Sequence, residues 1–395
     1  MASWLNNAIF YEIYPQSFND SNGDGIGDFQ GIIDKLQYVR DLGCNAIWIN
    51  PCFDSSFYDA GYDVRDYYTA AERYGSNADL QRLFERAHEL GMHVLLDLVP
   101  GHSAVDNPWF LESGKDERNA WTDRYIWRPM TQSPNLNSPY ESIRGFLGGI
   151  AERPDAAAVN CFSTQACLNY GFGTVTEDWQ FAADSPEAVQ GRLLIQDIMD
   201  FWLGLGADGF RVDVAHGLAK DLDRDDLESY KVCEHVLPSD GSHPLYDRDE
   251  VHDIYREWRK VFNEYNPPAF AVAEAWVNPD RQHLYASTEE LAQVFNFEFA
   301  KKDWIRDDMH LAIEEGLESA ERSGSSATWV MSNHDVPRHA SRYGLPQVPA
   351  SSHHQLAKDW LLRDGTTYEE NRELGAKRAR AAILMELALP GSTYI

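Results

Sequence analysis

The 395-residue sequence predicts an α/β fold: a (β/α)8 TIM barrel interrupted after its third strand by an inserted domain. Three observations predict it. Short apolar runs alternate with amphipathic segments of helical period, the pattern of parallel strands joined by crossover helices. Four motifs, DLVPGH (97–102), GFRVD (209–213), AVAEAW (271–276) and SNHD (332–335), each close a strand-like run with charged or polar residues. One connection is far too long for a simple crossover.

The strands read at 9–14, 46–50, 94–99, 209–214, 270–275, 294–299, 328–331 and 393–395. Helical patterns occupy 31–42, where Ile32, Ile33, Leu36 and Val39 recur before the Gly43 stop, and 78–90, which stops at Gly91. Further helices read at 189–205, 249–264 and 309–323. Between Val99 and Val189 run about ninety residues rich in Pro, Gly, Asn and aromatics, too many for a structureless loop. The barrel is therefore assigned residues 1–102 and 185–395, and the inserted domain residues 103–184. LALPGSTYI ends the chain inside the eighth strand, with no eighth helix after it. The expectation is a truncated barrel; one that closes differently is the alternative.

Lys and Arg number 34 against 63 Asp and Glu, a formal net charge of −29. Such acidity argues against nucleic acid and anionic membranes, which select basic patches, and suits a neutral substrate. A salty habitat is a second reading of it. The five cysteines (Cys44, Cys52, Cys161, Cys167, Cys233) are odd in number and lack metal or redox spacing. With no signal-peptide pattern at the N-terminus and no stretch near the ~20 apolar residues of a membrane span, the expected compartment is the cytoplasm.

In GFRVD, Arg211 and Asp213 are two apart and share one face of a strand. A guanidinium beside a carboxylate keeps it ionised, as a nucleophile requires. Glu274 stands among Val272, Ala273, Ala275 and Trp276, an apolar setting expected to keep it protonated as a general acid. Asp335, alone, would read as a turn or helix cap. Gathered on one barrel face, these carboxylates are what glycosidic bond cleavage needs.

The motif set resembles the α-amylase superfamily, glycoside hydrolase family 13, over its catalytic barrel almost end to end. The resemblance implies Asp213 as nucleophile, Glu274 as acid/base and Asp335 as transition-state stabiliser. It implies Arg211, His102 and His334 around the sugar in subsite −1, Asp97 as the strand-3 aspartate, and the inserted segment as domain B. Tyr62 and Asp63 of GYD and Arg338 of SNHDVPR resemble the elements that close the pocket in the α-glucosidase branch. There Asp63 would accept from the sugar 4- and 6-hydroxyls, Arg338 would orient it, and Tyr62 would offer a ring face. A blind pocket implies exo attack on short oligosaccharides. DVAHG, EAWV and the stretch 246–262 resemble bacterial cytoplasmic α-glucosidases and oligo-1,6-glucosidases, and Val214 matches the α-1,6-preferring members. A transglucosylase or trehalose-synthase-like isomerase is the alternative within this chemistry, and a non-catalytic barrel the alternative outside it.

In DSNGDGIGD, Asp20, Asn22, Asp24 and Asp28 alternate around Gly25, with the Ile26 carbonyl as a further oxygen. This set suits structural Ca²⁺, with Mg²⁺ as a substitute and an Asx-rich turn without an ion as the other reading. It is not an EF-hand, because the twelfth position is Gly31. Two departures from the family stand out: Gly101 where Asn usually precedes the strand-3 histidine, and Cys167 where QACLN usually carries Asp. The absent eighth helix and C-terminal β-domain are the third, and bear on stability.

Overall fold

Eight short parallel strands, β1 (Ile9–Ile13), β2 (Ala46–Ile49), β3 (His93–Leu98), β4 (Gly209–Val212), β5 (Phe270–Ala273), β6 (Ala292–Val294), β7 (Thr328–Val330) and β8 (Ser392–Tyr394), form one sheet. They lie in the order β6-β5-β4-β3-β2-β1-β8-β7, so β8 lies between β1 and β7. This computed structural model describes residues 3–130, 145–221, 237–346 and 350–395. Cys233 and positions 131–144 of the insert lie outside the described residues.

Apart from β1 and the first residue of β3, the strands are buried on both faces, which is why they read as continuous apolar runs rather than alternations. On β2, Ala46 and Trp48 point into the barrel with Phe10, Leu95, Phe270, Val272 and Tyr394. Their neighbours Ile47 and Ile49 pack outward with Val94, Leu96, Phe210 and Val212, against Ile32, Leu36, Leu80 and Leu83 of the surrounding helices. Among the described residues no backbone ladder joins β6 to β7. Side chains bridge that seam: buried Gln293 donates to Ser326 Oγ (2.9 Å) and Ser392 Oγ (2.6 Å), and accepts from Tyr394 Oη at 2.9 Å.

The outer layer comprises α1 (Phe29–Asp41), α2 (Asn77–Glu89), α3 (Pro186–Leu205), α4 (Glu250–Phe262), α5 (Arg306–Ser323) and α6 (Arg372–Glu386), with further helices between them, Ala350–Leu362 among them. Side chains set their starts: Asp28 accepts from Gly31 N, Ser76 and Asp79 form a reciprocal capping box, and Ser185 accepts from Ala188 N. After β3 the chain enters an antiparallel sheet of His102–Ala104, Trp127–Arg128, Gly145–Leu147, Ala156–Val159 and Gln165–Cys167.

Several boundaries differ from expectation. The sixth strand is not 294–299: β6 ends at Val294, and Asn296 caps a short helix, Phe297–Lys301, by accepting from Phe299 N. The FNFEF alternation mimics strand period, but the cap turns the backbone. The fourth strand stops at Val212, because Val214 adopts φ 41, a left-handed backbone. A helix of low amphipathic contrast, α6, escaped the periodicity reading, as did the hairpin Phe53–Ser55 and Val64–Ala70 after β2.

Candidate active site

Strand register brings the motifs together before any side chain is considered. On β3 and β4, Asp97 sits opposite Arg211; on β4 and β5, Arg211 sits opposite Val272, two residues before Glu274. Arg211 is 1% exposed, and its guanidinium serves three carboxylates. Nη1 donates to Asp97 Oδ1 and Asp213 Oδ1, both at 2.8 Å, and Nη2 lies 2.8 Å from Glu274 Oε2. One cation thus faces three buried acids.

Loop geometry aims the acids. The left-handed Val214 turns its N–H onto Glu274 Oε2 at 2.8 Å, and the Trp276 indole donates to Glu274 Oε1 at 2.8 Å. After β7, Asn333 Oδ1 accepts from Asp335 N (2.9 Å) and Val336 N (3.2 Å), an Asx turn that presents the half-exposed Asp335. The fully buried Arg342 pins the same loop by donating to Met331 O at 3.1 Å and Pro337 O at 3.4 Å.

A second layer runs behind the acids. Tyr62 Oη lies 3.1 Å from Asp97 Oδ2 and 2.7 Å from His334 Nε2, while Trp48 Nε1 donates to Asp97 Oδ2 at 3.2 Å. His334 Nδ1 lies 2.6 Å from Glu12 Oε1 on β1, and Nε2 lies 3.5 Å from Asp335 Oδ2. His102, at the base of the inserted sheet, has Nε2 2.8 Å from Tyr62 O and Nδ1 2.9 Å from Asn160 Nδ2. Asn160 therefore contacts the histidine that Gly101 precedes. Cys167 is buried in a cavity shared with Asn160, Lys220 and Tyr246.

The electrostatics differ from expectation. Glu274 was expected to be raised by apolar neighbours. Burial does push it up, but Arg211, the Val214 N–H and the Trp276 indole together hold it below its ordinary value. Asp213 was expected to be held low by Arg211. Burial instead lifts it well above the ordinary carboxylate range, with Glu274 and Asp97 adding to the rise and Arg211 opposing it. Burial likewise pushes Asp97 up to about 6. Three acids sharing one guanidinium titrate as one coupled cluster rather than as separate residues.

One expected pair does not form. Asp63 is fully buried, and its two carboxylate oxygens accept from the backbone of Tyr58 and Asp59, each at 2.9 Å. Arg338 is exposed, and among the described residues it makes no ion pair with Asp63. The reason is the turn Asp59–Gly61, with Ala60 at φ 52 and Gly61 at φ 109, which folds the Asp63 carboxylate back onto its own loop. Its neighbour Asp59 accepts from Gln165 Nε2 at 2.7 Å, and the charges of Asp63, Asp335 and His334 reach it. Spacing does not reveal that the turn occupies both oxygens of Asp63. Glu12, Asn50, Trp48, Gln165 and Asn160 were also missed, since none lies in a charged motif.

The loop of Asp20, Asn22, Asp24, Ile26 and Asp28 winds through successive Asx turns: Asp20 Oδ2 accepts from Gly25 N at 2.8 Å, and Asp24 Oδ1 from Ile26 N at 2.8 Å. Backbone bonds from Gly25 and Gly23 hold the Asp20 carboxyl below its ordinary value, so it stays an anionic oxygen donor. Asp28 spends one oxygen on Gly31 N and the other on Ser21. Among the described residues no three His, Cys, Asp or Glu side chains converge as metal ligands, so any ion here would also use Asn22 and main-chain oxygen.

Among the described residues no helix is long and apolar enough to cross a membrane. The alpha amylase catalytic-domain model matches residues 12–368. The chain is 32% identical over 398 residues to an oligo-1,6-glucosidase of Parageobacillus thermoglucosidasius, covering 95% of this chain and 66% of that protein. It is 31% identical to a trehalose-6-phosphate hydrolase of Bacillus subtilis, covering 94% of this chain and 65% of that one. A crystal structure of an alpha-glucosyl transfer enzyme, XgtA, superposes with a TM-score of 0.77 at 26% identity, covering 99% of this chain and 67% of that one. The chain thus spans about two thirds of the length of the curated relatives it matches. With the barrel, the inserted sheet and the matched catalytic-domain model in agreement, this chain belongs to the alpha-amylase family of glycoside hydrolases.

Proposed function

We propose that the protein is a retaining exo-α-glucosidase that releases terminal glucose from short α-linked oligosaccharides, with a catalytic barrel of residues 1–102 and 185–395 and an inserted domain at 103–184. The observation that carries this reading is the convergence of Asp213 and Glu274 on the two Nη atoms of Arg211, each at 2.8 Å. Two carboxyls on one guanidinium fit the close spacing of a retaining pair, roughly 5–5.5 Å, better than the wider gap that admits an inverting water.

In the proposed cycle Asp213 attacks C1 while Glu274 protonates the departing glycosidic oxygen, and Glu274 then takes a proton from the water that frees the sugar. Asp335 opposes the charge that builds at the anomeric centre. Attack requires an ionised Asp213 and a protonated Glu274. Tyr62, His102 and His334 would line the bound glucose. We also propose Ca²⁺, or Mg²⁺ in its place, as a structural ion for the loop of Asp20, Asn22, Asp24, Ile26 and Asp28.

The test is incubation with maltose, isomaltose, sucrose and trehalose, following the released anomer by proton NMR. α-Glucose supports the retaining mechanism, and β-glucose as first product sinks it. Val214, whose N–H contacts Glu274, favours isomaltose over maltose through its match to α-1,6-preferring sequences. Transfer to a second sugar is the rival outcome, favoured by the likeness to XgtA, and disaccharide products at high substrate would reveal it.

A further inference from the structure

Glu12 lies on β1, and its side chain is 10% exposed. Its Oε1 sits 2.6 Å from His334 Nδ1 and accepts from Asn50 Nδ2 at 3.2 Å. The other ring nitrogen, Nε2, faces Tyr62 Oη at 2.7 Å and Asp335 Oδ2 at 3.5 Å. Trp48 packs edge-on against the same ring. The groups around the imidazole are therefore Glu12 from β1, Asn50 after β2, Tyr62 from the hairpin loop, Arg211 from β4 and Asp335 after β7. Asp97 on β3 is reached through Tyr62.

Hydrogen-bond chemistry constrains this chain. A carboxylate only accepts, so at 2.6 Å Nδ1 must carry a proton for Glu12, and Asn50 Nδ2, 3.2 Å from both Nδ1 and Oε1, donates to the carboxylate. Tyr62 has one proton and two acceptors in reach: Asp97 Oδ2 at 3.1 Å, and Nε2 at 2.7 Å when that nitrogen is bare. If Nε2 is protonated it donates to the phenol oxygen, and the Tyr62 proton turns to Asp97. If Nε2 is bare it captures the Tyr62 proton, and Asp97 keeps only Trp48 on that oxygen.

We propose that Glu12 is a positioning residue whose charge holds His334 as an imidazolium, so that Tyr62 donates to Asp97 and the Asp97–Arg211–Asp213 array is held in one hydrogen-bonded state. Its catalytic consequence rests on the proposed glucosidase reading; the proton state of His334 does not. Burial works against the charged ring, yet Glu12 and Asp335 outweigh burial and Arg211 and lift His334 above the ordinary imidazole range. The carboxamide of Gln at position 12 would still accept from Nδ1 but removes the charge.

The experiment is a pH titration of the full chain carrying ¹³C-labelled histidine, with the His334 signal assigned by its loss in His334→Asn. The expected midpoint lies above 6.5 in the parent chain, and Glu12→Gln lowers it by about one unit or more. In the active enzyme kcat of Glu12→Gln falls at pH values between the two midpoints, a loss separate from the limb set by the acid cluster, while KM changes little. A parent midpoint at or below 6.5, or one unmoved by Glu12→Gln, overturns the proposal, and neither readout requires turnover. An inactive parent chain would instead overturn the glucosidase reading while the titration still decides the role of Glu12.

Discussion

Arg211 and Glu274 meet across adjacent strands, with Nη2 2.8 Å from Oε2, although 63 positions separate them in sequence. The contact exists because β4 and β5 pair in parallel with Arg211 opposite Val272. The bridge makes Glu274 a better anion in the free site than an apolar run suggests.

The first prediction follows from that bridge. Asp213→Asn is expected to lower kcat by about four orders of magnitude while the circular dichroism spectrum and Tm stay near those of the parent. Arg211→Lys, which cannot span Asp97, Asp213 and Glu274 with one fork, should cost roughly 10²–10³-fold in kcat/KM. A near-normal rate in Asp213→Asn removes the nucleophile assignment.

The pH profile should be bell-shaped, with an alkaline limb set by loss of a proton from the acid cluster. Burial raises Asp213 and brings Asp97 to about 6, so that limb is expected above the ordinary carboxylate range, and should belong to the cluster rather than one residue. Initial rates from pH 4 to 9 on one substrate test it, and a flat profile over that window contradicts the coupled cluster.

Asp59 and Asp63 should separate cleanly. Asp59→Asn is expected to raise KM and lower kcat/KM for glucosides by about tenfold or more, because the charges of Asp335 and His334 reach its carboxylate. Asp63→Asn should act chiefly on stability, since both its oxygens cap backbone amides of its own turn. Paired kinetics and thermal melts decide it, and the opposite pattern returns the sugar-binding role to Asp63.

Glu386, at the end of α6, is fully buried with no hydrogen-bond partner for either oxygen among the described residues. Burial pushes its carboxyl from 4.5 to about 8. The folded state therefore binds the proton more tightly than the unfolded chain. Stability should be greatest below pH 4.5 on this account and fall as pH rises toward about 8. The whole gap corresponds to a ceiling of about 5 kcal/mol, and Glu386→Met removes it. Chemical denaturation at pH 5 and pH 8 should show the variant's advantage growing with pH, and an advantage independent of pH excludes this cause.

For the aspartate loop, added Ca²⁺ should raise Tm and a chelator should lower it, with Asp24→Ala abolishing the difference. Equal melts with and without the ion leave the loop as Asx turns alone.

The barrel and its catalytic motifs were legible because they rest on local pattern. Strands buried on both faces write themselves as apolar runs, and Arg211 and Asp213 declare a shared face by being two apart. Where a side-chain cap competes with strand period, as Asn296 does ahead of Phe297–Lys301, the same reading misplaces an element.

What the sequence by itself determined is the alternation that closes a parallel barrel and the chemistry available at its strand ends. Tertiary structure alone decided that both Asp63 oxygens fold back onto their own turn, that Glu12 meets His334 across 322 positions, and that three acids share one buried cation. Those outcomes depend on strand register, on the sign of φ at Ala60 and Val214, and on how many carboxylates share one buried guanidinium. Each is a relation between distant segments, and it acquires a distance and a dielectric only when the ring of strands is assembled.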